Sequence, residues 1–500
     1  HFFSTTSLSL SEMEYLSNLR HDPLLNTTSS TLLPSSLLSK HLLSNITELL
    51  RFTSFLISIA AFFIFHKWKP ILYFLFLISC FILLKRLILS KAAPVYLVDF
   101  SCLRPPSFCR VPFSTFIENV SMFQCFDSES ISFMAKLLTS SGLSEETFLP
   151  PALQYIPPNT HLHESIQEVH MVLFPVMEDL LSKTRLSPCD IDILIVNCSG
   201  FCPSPSLSSI IINKYSLRSD IKSYTLSGMG CSASAIGVDL AQSLLRIHKN
   251  SNAVVISTEI LSTGWYSGND RSKLILNCLF RMGSAAILLS SKKEAKKSSK
   301  YKLSRTVRTQ NAFDDQAYFS AVREEDSKGN QGFTLNQNVL QVVGETLRSN
   351  VTVLGSSILP FSEKLWLVFS ILWKTFINKS SEIYVPNFKT VIQHFCLPTS
   401  GRAMIRDIAK GLKLGDKDIE PALMTLHRFG NQSSSSLWYE LAYLEAKFWV
   451  KKGDKIWQLG LGSGLKCSSL VWECIRPIVG ESKKGPWADC ISYYPIPTGI

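Results

Sequence analysis

Thr225-Leu-Ser-Gly-Met-Gly-Cys231-Ser-Ala-Ser-Ala235 runs directly into Ile236-Gly-Val-Asp-Leu-Ala-Gln-Ser-Leu-Leu245, and this junction decides the fold. The first part ends a short strand. The second has the period of an amphipathic helix. Gly228 and Gly230 allow the crowded turn between strand and helix. Cys231 then falls in the first helical turn, where unpaired N–H groups and the positive end of the helix dipole favour a thiolate. Ser232, Ala233 and Ala235 leave room above the sulfur. The bland reading of any one cysteine is a buried structural thiol. A Gly-x-Gly-Cys-Ser-Ala-Ser setting at a helix mouth points instead to a nucleophile.

Upstream, Ile191-Asp-Ile-Leu-Ile-Val-Asn197 reads as a buried strand and Leu207 to Tyr215 as a helix. Ile221 to Leu226 is a second strand, feeding the cysteine turn, and Ala253 to Thr258 a third. Strands alternating with helices predict an α/β protein with a largely parallel sheet covered on both faces. The C-terminal part repeats this order. Leu423 to Phe429 stands in the place of the strand, and Gly430 and Asn431 sit at a helix mouth before Gln432-Ser-Ser-Ser-Ser436. A helix from Leu437 to Val450 and a strand from Lys455 to Leu459 follow. The pattern predicts a divergent internal duplication. Gly460-Leu-Gly-Ser-Gly464 resembles a phosphate loop only weakly: it is read as following the last core strand, without the rest of a dinucleotide fingerprint.

The 500 residues carry a net charge of +11. Basic residues form no long stripe, and the one dense run, Lys292 to Lys300, reads as a solvated loop, which argues against nucleic-acid binding. Anionic headgroups or an acidic thioester fit the charge better. Thirteen cysteines, scattered and without a CxxC pair, indicate reduced thiols rather than a disulfide framework. No metal, flavin or nicotinamide motif is visible, so no cofactor is expected.

Residues 1–45 are rich in Ser, Thr and Leu and read as a disordered leader. Within 46–91, the apolar runs Phe52 to Phe65 and Ile71 to Leu84 flank His66-Lys-Trp-Lys-Pro70. Each run spans about 21 Å as helix, against a hydrocarbon core of roughly 30 Å, and extends further if its flanking charges snorkel. A two-helix membrane hairpin is predicted, with a re-entrant or interfacial anchor as the alternative. Lys40, Arg51, Lys85, Arg86 and Lys91 on the outer flanks exceed Lys67 and Lys69 in the loop, which puts the large domain in the cytosol. Phe361 to Lys374 is strongly apolar with charged ends. It reads either as a buried or membrane-facing helix or as lining for a long apolar substrate.

The motifs around Cys231 and His427-Arg-Phe-Gly-Asn431-Gln-Ser-Ser-Ser-Ser-Leu-Trp-Tyr-Glu440 resemble those of plant 3-ketoacyl-CoA synthases. These are membrane-bound condensing enzymes of very-long-chain fatty acid elongation, within the thiolase and chalcone synthase-like superfamily. Asp190 to Asn197, Trp265-Tyr-Ser-Gly268, Asn277 to Gly283 and Gly462-Ser-Gly464 add to the likeness, which runs from about Tyr96 to the C-terminus. The resemblance implies a thiolase-like fold of two duplicated βα halves in five layers, αβαβα, here 92–385 and 386–500, behind the hairpin. It implies an endoplasmic reticulum location, acyl-CoA and malonyl-CoA as substrates, the elongase reductase and dehydratase as partners, and a homodimer. By the same resemblance Cys231 carries the acyl chain and Asn431 donates to the malonyl thioester oxygen. The family's catalytic His, in Phe-Cys-Ile-His-Ala-Gly-Gly-Arg, falls on Pro398 of Phe395-Cys-Leu-Pro398-Thr-Ser-Gly401-Arg402, and a second family His falls on Gln310. His394 and His427 are retained and become the candidate catalytic histidines, or else structural ones. His394 lies four residues before Pro398, about 13 Å along an extended chain. Pro398 therefore leaves two readings, a condensing acyltransferase or a catalytically impaired, synthase-like scaffold; a thioesterase-like use of Cys231 is a third.

Overall fold

An unbroken run of β-branched and aliphatic residues requires cover on both faces of a sheet. Ile193 and Ile195 enter one apolar core and Leu194 and Val196 another, all four fully buried, because successive strand side chains face opposite ways. The computed structural model describes residues 54–59, 76–81, 93–336, 338–378 and 384–496. It divides the chain into two units, His1–Lys91 and Ala92–Ile500. In the first, residues 54–59 and 76–81 are helical. The expected leader and the rest of the expected hairpin lie outside the described residues. Among those described, no helix is long and apolar enough to cross a membrane.

The second unit contains β1 (Tyr96–Cys102), β2 (Ile193–Asn197), β3 (Lys222–Leu226), β4 (Asn252–Thr258), β5 (Ser284–Ser290) and β6 (Tyr301–Gln310). It continues with the small hairpin β7 (Ala321–Glu325) and β8 (Gln331–Leu335), then β9 (His394–Cys396), β10 (Lys455–Gly462) and β11 (Lys466–Cys474). The main sheet runs β3-β2-β4-β5-β1-β6-β11-β10-β9. One pattern occurs twice in it. β2 is parallel to β4, β4 antiparallel to β5, and β5 antiparallel to β1. Likewise β9 is parallel to β10, β10 antiparallel to β11, and β11 antiparallel to β6. Among the described residues, the strands of the two groups pair through Tyr96↔Lys302 and Leu97↔Tyr301. The duplication is therefore real. β6 comes from the 92–385 stretch yet pairs with strands of 386–500, so the sheet divides near Lys300 rather than at 385.

The helices that position the site are α1 (Leu162–Thr184), α2 (Leu207–Tyr215), α3 (Ala233–Ile247), α4 (Val339–Ile358), α5 (Phe361–Phe376), α6 (Asp416–Phe429) and α7 (Ser436–Ala446). α3 touches β2 and β4 on one side and β10 and β11 on the other, while α7 touches β1, β9 and β10. These two form the central layer, with α1 outside the first strand group and α4 outside the second. Layers thus alternate α, β, α, β, α. Being central, α7 is apolar almost all round. Leu437, Trp438, Tyr439, Leu441, Tyr443 and Leu444 are all buried, each such side chain contributing about 1.5–3 kcal/mol. Trp438 Nε1 donates to Ser234 Oγ at 2.6 Å and joins the two central helices. Where the strand groups meet, the buried Lys300 ammonium pairs with Asp99 at 2.8 Å, Glu445 at 2.9 Å and Glu481 at 3.1 Å.

Three local expectations change. Leu423 to Phe429 is the end of helix α6, not a strand. Its Leu, Met, His and Arg are not β-branched, and acidic Asp416 and Asp418 favour a helix start just before it. Gly460 and Gly462 lie inside β10, and a further core strand, β11, follows the turn at Gly464. Phe361 to Lys374 is helical as expected, within α5, but none of its residues is buried.

Candidate active site

β3 ends at Leu226, and a single 3-10 turn, Gly230–Ser232, carries Cys231 into α3. Gly230 has φ +59°, and a Cβ there would stand 2.5 Å from Ser463 N. A Cβ on Gly462 would collide with Met229 O and Ser232 Oγ. The end of β10 is pressed against the nucleophile turn so closely that only glycine hydrogens fit between them. The role of the Gly460-to-Gly464 stretch is this close approach.

Cys231 opens onto a small cavity whose wall includes Pro398, Ser400, Asn431, Ser433 and Gly460. Asn431 follows the C-terminus of α6, and its backbone is pinned on both sides: its N–H donates to Leu279 O at 3.1 Å and its carbonyl accepts from Arg281 N at 2.9 Å. Asn431 Oδ1 accepts the Ser433 N–H at 2.8 Å. That bond fixes the amide's orientation and leaves its NH₂ as the donor available to a ligand.

Ser433 adopts a left-handed backbone, φ +55°, a strained choice for a residue with a Cβ. This places its hydroxyl 3.4 Å from Cys231 Sγ and 3.3 Å from Glu259 Oε2. One hydroxyl hydrogen serves only one of them at a time. Glu259 also accepts from Gly200 N at 2.6 Å and Ser199 N at 3.2 Å. Burial nevertheless raises its pKa, with those N–H groups acting against the rise. Sequence reading missed both residues. Ser433 is hidden in a run of four serines; Glu259 could have been found, because it immediately follows the C-terminal end of the parallel strand β4, where α/β sheets place functional groups.

Burial pushes the Cys231 thiol up to about 11, nearby Glu259 adds to the rise, and the Ser433 hydroxyl and the Cys231 N–H oppose it. The thiolate expected from the helix mouth is therefore not the resting form. The same cavity is lined by Pro398, which offers no cation or imidazole to stabilise it. Carbamidomethylation of Cys231 by iodoacetamide, followed peptide by peptide in the mass spectrometer, should rise about tenfold per pH unit from pH 7 to about 10. A plateau below pH 8 would contradict a raised thiol.

Of the four residues singled out from sequence, the structure brings Cys231 and Asn431 to one cavity and leaves the two histidines outside its lining. His394, on β9, pairs through Nε2 with Asp454 Oδ2 at 2.9 Å. His427, in the last turn of α6, meets Tyr494 OH through Nδ1 at 3.0 Å; burial, then Arg402 and Arg428, lower its pKa. Gln310 ends β6 opposite Lys466 and is also outside the lining. Pro398 does line it. Its neighbours are tied to α7: the Leu397 N–H donates to Glu440 Oε2 at 2.8 Å and Thr399 Oγ1 to Ser436 Oγ at 2.8 Å. All thirteen cysteines are free.

A family model described as FAE1/Type III polyketide synthase-like protein matches residues 87–376, and one described as the C-terminal part of 3-oxoacyl-[acyl-carrier-protein] synthase III matches residues 389–474. The chain is 50% identical to 3-ketoacyl-CoA synthase 5 of Arabidopsis thaliana over 408 residues, 82% of this chain and 83% of that protein. It is 48% identical to 3-ketoacyl-CoA synthase 6 of the same plant, covering 82% of each. Among solved structures, a fungal type III polyketide synthase superposes with a TM-score of 0.61 at 14% identity, covering 76% of this chain and 99% of that one. That likeness bears on the fold, and it is the thiolase-like one expected. With 48–50% identity to such relatives over 408 residues, the chain belongs to the 3-ketoacyl-CoA synthase family.

Proposed function

We propose that this protein condenses malonyl-CoA with a long-chain or very-long-chain acyl-CoA to give 3-ketoacyl-CoA, CO₂ and CoA. The observation that carries the reading is the Cys231 thiol and the oriented Asn431 amide opening on one cavity at the mouths of the two central helices. Cys231 sulfur attacks the acyl-CoA carbonyl, the carbon–sulfur bond to CoA breaks, and the thiol proton leaves with CoA. Malonyl-CoA then loses CO₂. The electron pair of the broken carbon–carbon bond becomes an enolate, whose oxygen the Asn431 NH₂ is placed to receive. The enolate carbon attacks the acyl-cysteine carbonyl and the product departs. The sulfur, again an anion, takes a proton from solvent.

Pro398 supplies no donor, and as a proline it lacks even a backbone N–H. Beside it, the Ser400 hydroxyl is a cavity-lining group able to donate. Proline on this wall favours one second reading, a slow or inactive synthase-like scaffold. Membranes containing the protein, supplied with a long-chain acyl-CoA and carbonyl-labelled malonyl-CoA, should form labelled 3-ketoacyl-CoA. Free CoA without label in product would mean a thioesterase, and neither product would leave the scaffold. The location proposed is the endoplasmic reticulum membrane with the domain on the cytosolic side, supported by the two apolar runs and the excess of Lys and Arg on their outer flanks. The 3-keto product calls next for a reductase, then a dehydratase.

A further inference from the structure

Helix α5 is folded with its apolar side outward. At 3.6 residues per turn, Phe361, Leu365, Trp366, Phe369, Trp373 and Phe376 fall within an arc of about 140°. All of them are exposed, from 42% at Trp373 to 78% at Phe376. Glu363 and Ser370 lie outside that arc and are held by the chain that follows the helix. Glu363 accepts from Tyr384 OH and from the Asn387 N–H, each at 2.9 Å, and Ser370 Oγ accepts from Tyr384 N at 3.0 Å. Lys364 lies about 60° beyond one edge of the arc and Lys374 about 80° beyond the other. Neither lysine has an ion-pair partner among the described residues.

We propose that α5 is an interfacial helix, lying in the plane of an anionic bilayer with its aromatic arc in the acyl-chain boundary and Lys364 and Lys374 on the phosphate groups. The arrangement fits lipid on two counts. Tryptophans on an apolar arc with a lysine on each flank match both layers of a membrane surface, headgroup and hydrocarbon. The net charge of +11 adds attraction to anionic lipid. A second copy fits worse, because pairing the same face would set lysines beside lysines while the helix's one acid, Glu363, is held by Tyr384. The inference rests on the membrane location proposed above, and it assigns the folded domain a bilayer contact of its own.

The test uses the full chain in nanodiscs of phosphatidylcholine and phosphatidylserine doped with a phosphatidylcholine whose acyl chain carries a diazirine. After illumination, lipid adducts are mapped by peptide mass spectrometry. Adducts are expected on Phe361–Phe376. Leu365→Glu with Phe369→Glu should lower them at least about tenfold, without affecting adducts within 46–91. Lys364→Gln with Lys374→Gln, or omission of phosphatidylserine, should lower α5 adducts about tenfold. Because Leu365 and Phe369 are exposed and Lys364 and Lys374 only half-buried, the variants keep the fold, which their melting temperatures check. Adducts confined to 46–91 would overturn the inference and spare the membrane location. No adducts anywhere would overturn both. Covalent α5-to-α5 pairs between copies under a lysine crosslinker, with no lipid adducts on α5, would assign the face to a second copy instead.

Discussion

Cys231→Ala is expected to remove transfer of malonyl label into product, lowering elongation by at least about 10⁴-fold and CoA release with it. The size follows from what remains. The cavity wall keeps the Asn431 amide and the hydroxyls of Ser400 and Ser433, but a hydroxyl without an adjacent base is a poor nucleophile for a thioester. The carboxyl group beside Ser433, that of Glu259, is 3.3 Å away and already accepts the Gly200 and Ser199 N–H groups, which weakens it as a base. Folding should survive, because the substitution removes one sulfur atom at the wall of an existing cavity; the melting temperature should fall by no more than a few degrees. Label transfer from Cys231→Ala at the parent's rate would end the assignment of Cys231 as acyl carrier. Loss of activity with a collapsed melting temperature would report unfolding, not chemistry.

Pro398→His should act in the opposite direction. A positioned acid–base group is worth about 10²–10⁴-fold and a single oxyanion donor about 10²–10³-fold, so condensation by the variant should rise by about 10²–10⁴ over the parent. The site is prepared to receive the ring. Pro398 lines the same cavity as Cys231 and Asn431, and both neighbours are held, Leu397 by Glu440 and Thr399 by Ser436. No existing hydrogen bond is lost, since proline has no N–H to give up. The gain should fall on release of CO₂ from malonyl-CoA more than on the first release of CoA, because the developing enolate is what lacks a donor. An imidazole near Cys231 should also move the iodoacetamide profile to lower pH, reversing part of the rise to about 11 that burial causes. An unchanged rate of CO₂ release with an unchanged alkylation profile would mean that residue 398 does not face the reacting atoms.

Local pattern carried much of the architecture. The extents of β2, α2, β3 and β4 match the runs read from the chain to within two residues; β2 and the middle of β4 are apolar because they are buried on both faces, whereas β3, at the sheet edge, is partly exposed and mostly polar. The duplication was legible for the same reason. Leu423 to Phe429 was not, since a short apolar run has no period that separates helix from strand; what decides it is the helix start at Asp416 and the packing of α6 on β9. The turn of α5 away from the core was also beyond reach. Its apolar arc has the same period whether it faces inward or outward.

Cys231 on a glycine turn at a helix mouth, Asn431 before a second helix, and a proline at position 398 are local facts, and the amino-acid order alone determined them. Proximity had to come from the fold. Cys231 and Asn431 are 200 residues apart, and they share a cavity because α3 and α7 form one central layer whose mouths adjoin. The same packing turns Gly462 from a weak phosphate-loop signal into the gap that admits the nucleophile turn, and brings Glu259 to within one serine of the sulfur. It also commits His394 to Asp454 and His427 to Tyr494. A side chain's type and its neighbours along the chain are written locally. Which distant groups desolvate it, orient it or repel its charge depends on contacts that exist only once the two strand groups have closed on the central helices.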